Sequence, residues 1–141
     1  MGGKRIKGRK DHSVVDTLGN LLRVWVHPAD LADGVAARWW LDVVCEAIPS
    51  LRALVADGAY VGPLVDWAKA EFNLAIQVVT KLAGQTGFVV IPKRWVVERT
   101  LAWLGRNRRL AKDYEFLPEC RETWVYLASI RLLLNNLVPA A

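Results

Sequence analysis

Between Pro92 and Lys112 the chain reads as one helix opened by a proline turn, with seven basic residues and a single acid, Glu98. A lone carboxylate in so positive a helix is not general surface decoration. At about 3.6 residues per turn, Arg94, Glu98, Ala102, Gly105 and Arg109 fall roughly on one stripe. The small residues beside the acid leave room for a bulky ligand, and the flanking arginines suit phosphate. This is the layout expected where a metal-binding carboxylate meets a nucleic-acid backbone.

The segments ahead of that helix predict a mixed α/β architecture. His12–Asp16 and Leu21–His27 are β-rich runs separated by Thr17-Leu18-Gly19-Asn20, which predicts a hairpin. Asp30 or Asp33 then caps an amphipathic helix running to about Ala47, whose apolar positions include Val35, Trp39, Val43 and Ala47, and Pro49 marks its end. Ala53–Ala56 is a short buried strand that stops at Asp57-Gly58-Ala59-Tyr60. A helix over roughly Pro63 to Glu71 and a strand from Ala75 to Thr80 follow. Lys81–Thr86 is a polar loop, and Gly87–Ile91 a third short apolar run. After the arginine-rich helix comes a linker through Pro118, then a final amphipathic helix over about Arg121 to Leu137. With 141 residues and no internal repeat, the expectation is one α/β domain. Its parts are a basic lead-in (1–11), a core (12–117) and a C-terminal helix (118–141).

Charge narrows the partner. The formal charge is +5, but the distribution says more than the sum. Residues 1–10 carry Lys4, Arg5, Lys7, Arg9 and Lys10 with no acid, and residues 93–112 carry a net +6, so the rest is acidic at −6. Two basic blocks on an acidic body form an electrostatic footprint for a polyanion; the plainer alternative is two solvated charge runs. Cys45 and Cys120 stand apart from each other and from any metal-ligand spacing, which fits a reduced cytosolic compartment. His12 and His27 have no neighbouring Cys/His cluster and read as structural. No apolar run reaches the roughly 18 to 20 residues that span a bilayer, and no signal core follows the basic N-terminus.

Asp57 sits directly after an apolar strand and before a glycine, at the carboxyl end where parallel-sheet enzymes put their ligands. An Asp that starts a turn or caps the next helix is the structural alternative. Paired with Glu98, the arrangement is one that binds a divalent metal against a phosphodiester, since Mg²⁺ takes oxygen ligands and shares the rest with water and phosphate.

Several blocks carry a resemblance. They are Lys7–Lys10 with Val14–Gly19; Ala56–Tyr60; Gly87–Pro92; Arg94–Thr100; and Trp103–Arg106 with Arg109–Glu115. In this order, and over essentially the whole chain, the sequence resembles the catalytic part of bacterial insertion-sequence transposases of the DDE type, in the branch whose reading frame is often split. The resemblance implies a ribonuclease H-like mixed sheet flanked by helices, in which three acids hold two Mg²⁺ or Mn²⁺ ions. Asp57 would be the second acid and Glu98 the third. The first would lie on a strand preceding residue 1, so the chain is expected to be N-terminally truncated relative to the family domain. Asp16 falls on the family's hairpin and reads as a turn residue. Asp11 stands where the family usually has a basic residue. The implied process is DNA strand cleavage followed by strand transfer, in the bacterial cytoplasm at the nucleoid. DNA is the implied partner, together with self-association or an N-terminal transposase segment.

Lys4, Arg5, Lys7, Arg9, Lys10, Arg94, Arg99, Arg106, Arg108 and Arg109 are the expected DNA-backbone contacts, guanidinium being matched to phosphate bidentately. Trp95 and Trp103 either stack on a base or pack in the core, while Trp39, Trp40, Trp67 and Trp124 read as packing residues. Tyr60 either assists the site or caps the strand end. Three functions remain open at this point: a transposase catalytic core, a catalytically inactive DNA-binding or regulatory remnant, and an unrelated ribonuclease H-like nuclease. With two of three carboxylates, strand transfer by the chain alone is expected to be undetectable.

Overall fold

The computed structural model describes residues 8–79 and 93–138. Along them run β1 (Arg9–Val15), β2 (Leu21–Pro28), α1 (Asp33–Ala47), β3 (Ala53–Ala56), α2 (Pro63–Phe72), β4 (Ala75–Val78), α3 (Arg94–Gly105) and α4 (Pro118–Leu137), with short 3₁₀ turns at Gly58–Tyr60 and Arg108–Leu110. Mixed α/β architecture is therefore present, in the form of four helices and two two-stranded sheets among the described residues. The chain divides into two compact units, Met1–Asp30 with Val96–Ala141, and Leu31–Trp95. The expected loop Lys81–Thr86, the run Gly87–Ile91 and the side chains of Lys4, Arg5 and Lys7 lie outside the described residues.

In the first unit β1 and β2 form the expected antiparallel hairpin, paired from Arg9↔Pro28 to Val15↔Leu21 with an irregularity between Val14 and Val15. Asp16 makes the turn. Its carboxylate accepts hydrogen bonds from the Leu18 amide (2.8 Å) and from the Asn20 amide (2.9 Å) and side chain (2.8 Å), as short Asx side chains do in turns. Helix α4 covers the outer edge of β2. The Val24 amide donates to the Tyr126 hydroxyl (3.2 Å) and the Val26 amide to Glu122 (2.8 Å), so the row of backbone donors facing away from β1 is satisfied by a helix rather than by a third strand. Val24, Leu104, Val125 and Ala128 form the core of this unit, with Leu21, Leu110, Tyr126 and Leu132 packed around them.

The second unit is built on a strand–helix–strand crossover. β3 and β4 pair in parallel from Ala53↔Ala75 to Ala56↔Val78, and α2 is the connecting helix that a parallel pair requires. Pro63 occupies its first turn, and Asn73 ends it in the left-handed region at φ 50°, both at positions suited to them. β3 is half-buried at Leu54, Val55 and Ala56 and exposed at Ala53, rather than buried throughout. Helix α1 matches its expected span, but its cap and its buried face differ from expectation. Ala32 is the N-cap and makes no side-chain cap; Asp33 lies in the first turn, where its charge still suits the helix dipole. The buried face is Ala36, Ala37, Trp40, Leu41 and Val44, whereas Val35, Trp39 and Val43 are exposed, Trp39 by 65%. Both stripes are apolar at helical spacing. The one with alanines at two adjacent positions allows the closer backbone approach, and α1 packs through it in contact with α2 and the 3₁₀ turn.

Helix α3 is shorter than the sequence predicts. It ends at Gly105, and Arg108–Leu110 form a separate 3₁₀ turn with Asn107 in extended conformation before it. Arg109 therefore leaves the stripe it would share with Glu98 on one continuous helix. The last helix starts three residues earlier than expected, with Pro118 at its first position.

Candidate metal and nucleic-acid site

Glu98 owes its setting to the hairpin turn. On α3, Val96, Thr100 and Leu104 are buried at four-residue spacing while Glu98 is exposed. The Thr100 hydroxyl lies 2.7 Å from the Gly19 carbonyl and 3.1 Å from that of Val96, and the Arg99 guanidinium donates to the Leu18 carbonyl at 2.6 Å. The approach leaves no room for a side chain on Gly19, where an added Cβ would stand 2.8 Å from Thr100 Oγ1 and 2.9 Å from Arg99 Nη2. Its φ of +91° already favours glycine. Two consecutive residues of α3 thus lock onto the turn that Asp16 organises, and this fixes the rotation of the helix that carries Glu98.

Asp57 is exposed at the carboxyl end of β3, just past the ladder that closes with the Val79 amide donating to Ala56 (2.8 Å). Its carbonyl accepts from the Tyr60 amide at 3.2 Å, starting the 3₁₀ turn. The neighbourhood is electronegative. Burial first, then the charges of Asp33 and Asp57, hold the Tyr60 phenol well above the usual phenol range, so Tyr60 stays protonated at any physiological pH. Asp57 belongs to the second unit and Glu98 to the first.

The expected phosphate contacts divide into two groups. Arg106 and Arg108 are exposed in the segment after α3. Arg109 forms an ion pair with Glu115 (3.1 Å) and lies 5.2 Å over the Trp124 ring. Arg99, besides holding Leu18, covers Trp103 at 4.7 Å, and Arg9 donates to the Phe116 carbonyl (2.5 Å) beside Asp113 (3.5 Å). These three guanidiniums therefore already serve the fold. Lys10 is half-buried; the Arg94 side chain lies outside the described residues. Trp95 is exposed and Trp103 is sheltered by its arginine.

Sequence reasoning gave Asp11 no role. Its carboxylate accepts from Arg121 Nε at 2.9 and 3.0 Å and from Nη2 at 2.7 Å, a bidentate pair that ties β1 to α4. No local pattern links positions 110 apart, so nothing in the sequence could have revealed it. His12 and His27, which the sequence leaves without a neighbouring cluster, are buried side by side with ring centroids 4.6 Å apart, and Trp25 lies 4.9 Å from His27. Among the described residues no helix is long and apolar enough to cross a membrane.

A family model for the transposase DDE domain matches residues 1–133. Searches of curated proteins and of solved structures give no match.

Proposed function

The chain belongs to the transposase DDE-domain family, and from that premise we propose that Asp57 and Glu98 hold divalent metal, Mg²⁺ or Mn²⁺, for DNA strand cleavage and strand transfer. The family's process is DNA transposition, and DNA is the partner it implies. On this reading the two sheets belong to a ribonuclease H-like domain, and self-association accompanies assembly on DNA.

One observation carries the proposal. Each of the two acids is an exposed carboxylate at a position fixed by its own element, Asp57 by the end of a parallel ladder and Glu98 by the Arg99–Thr100 lock on the hairpin. Carboxylate oxygens are the donors that Mg²⁺ and Mn²⁺ take, so the donor set fits the metal. When bound, such ions supply positive charge to the attacking and leaving oxygens of an in-line displacement. The protein's own contribution is positional. Asp57 and Glu98 present oxygen ligands, Arg106 and Arg108 neutralise backbone phosphate near α3, and the hairpin turn keeps the Glu98 helix from rotating. Tyr60, beside Asp57, stays protonated.

The test is Mn²⁺ binding, read by electron paramagnetic resonance on the purified chain. Asp57→Asn and Glu98→Gln keep shape and remove charge; each is expected to weaken Mn²⁺ affinity by about tenfold or more, as loss of a carboxylate ligand should. Unchanged affinity in either variant refutes the assignment. If salt-sensitive DNA binding persisted with no metal binding at all, the chain would be an inactive DNA-binding remnant instead.

A further inference from the structure

His12 and His27 come together on the hairpin although they belong to different strands. His12 faces Trp25 across the β1–β2 ladder and Lys10 faces His27, so the two imidazoles are diagonal neighbours on one face of the pair. Val24 serves the opposite face, toward the core with α4. The rings stand 4.6 Å apart between centroids, and a nitrogen of one lies within 4.8 Å of a nitrogen of the other. The residues are only 6% and 1% exposed. Trp25 lies along one side, 4.9 Å from His27 and 6.4 Å from His12.

His27 has the hydrogen bonding of a ligand. Its Nδ1 lies 2.8 Å from the Pro28 carbonyl. A carbonyl oxygen only accepts, so Nδ1 carries the proton and the neutral ring presents a bare lone pair at Nε2. That nitrogen is buried and has no hydrogen-bond partner among the described residues. A buried acceptor left unsatisfied loses its hydration with nothing in return. A bond from Nδ1–H to a backbone carbonyl is also what orients a metal-ligating histidine and fixes its tautomer.

We propose that His12 and His27 form a binding site for Zn²⁺, with Nε2 of His27 and a ring nitrogen of His12 as its protein ligands. The site does not depend on the assignment of Asp57 and Glu98. Donor type separates the two, because imidazole nitrogen suits Zn²⁺ whereas Mg²⁺ takes oxygen. Zn–N bonds of about 2.0–2.1 Å put two ligand nitrogens roughly 3.4 Å apart on a tetrahedron, a spacing inside the 4.8 Å limit found here. Two nitrogens fill half of a tetrahedral set, and oxygen donors complete it. Each imidazole belongs to a different strand, so the bound ion links β1 to β2 independently of the ladder. The unfolded chain does not hold the two rings together, and occupancy therefore stabilises the folded state by mass action.

The test uses the untagged full chain in excess Mg²⁺, which keeps oxygen sites filled by the harder ion. Zn²⁺ is titrated against a chromophoric chelator, its ligand shell is read by X-ray absorption, and urea midpoints are compared with and without Zn²⁺. The expected results are stoichiometric binding, a shell with two imidazoles and no sulfur, and a midpoint raised by Zn²⁺. His12→Gln and His27→Gln are each expected to weaken Zn²⁺ affinity at least about tenfold and to remove the midpoint shift. Three results would overturn the proposal: no stoichiometric binding, sulfur in the shell, which would put the ion on Cys45 or Cys120, or an affinity unchanged in either variant. Shell and midpoint are read on the wild-type chain, so they decide the matter even where a variant fails to fold.

Discussion

The Asp16 carboxylate, with its three hydrogen bonds inside one turn, organises the hairpin on which α3 is seated. Its carboxyl lies below the ordinary value of 3.8: burial raises it, but the hydrogen bonds from the Asn20 side chain and from the Asn20, Leu18 and Gly19 amides lower it by more. A depressed folded-state value contributes stability that is present above the unfolded pKa and is lost as pH falls through the folded one. Asp16→Ala is therefore expected to be less stable than the wild type at pH 7, with the gap narrowing as the pH drops below 3.8. Urea midpoints across that range are the check, and a gap that does not vary with pH would contradict it. Asp11 is another acid with a fold-level duty. Where the family usually has a basic residue, the carboxylate here receives Arg121 in a bidentate pair, so the departure has a structural partner.

Among the elements, α4 is the one that closes the hairpin. Strand β2 offers two buried amides on its outer edge, and α4 answers them with side chains rather than backbone. Val26 is only 3% exposed, so losing the Glu122 acceptor would leave its N–H unsatisfied in a dry place. Glu122→Ala is expected to destabilise the chain by about 1–3 kcal/mol, whereas Glu122→Gln, which keeps a carbonyl oxygen, should recover most of it. Chemical denaturation would show this, and equal stability of the alanine variant and the wild type would mean the bond contributes nothing. Helix α3 obeys a similar logic through Arg99 and Thr100, whose partners lie 81 positions away.

For the whole molecule, the charge pattern makes the sharpest claim. Two basic blocks on an acidic remainder should bind DNA without sequence preference, with a log–log salt slope of roughly −4 to −8 if five or more cations meet phosphate. The structure sharpens which cations those are. Replacing Arg106 and Arg108 together by Ala is expected to reduce the slope by about two, while Arg109→Ala should change it less, because Glu115 already holds that guanidinium. Fluorescence anisotropy on a duplex at several salt concentrations measures both, and a flat salt dependence would defeat the electrostatic argument.

The sequence by itself determined what depends on near neighbours in the chain: the hairpin and its turn residues Asp16, Gly19 and Asn20, the strand–helix–strand order from Ala53 to Val78, the charge blocks, and the placement of Asp57 after a strand and Glu98 on a helix. The family resemblance was legible there too, because it rests on short motifs in fixed order. Tertiary structure decided what depends on distant partners. It selected the Ala36–Val44 face of α1 over the Val35–Val43 stripe, since both have helical spacing and only packing distinguishes them. It ended α3 at Gly105, assigned Arg9, Arg99 and Arg109 to carbonyls, acids and rings within the fold, and paired Asp11 with Arg121. Periodicity reports which residues can share a face; which face meets another surface is set by contacts between segments far apart in sequence, and those exist only once the chain is folded.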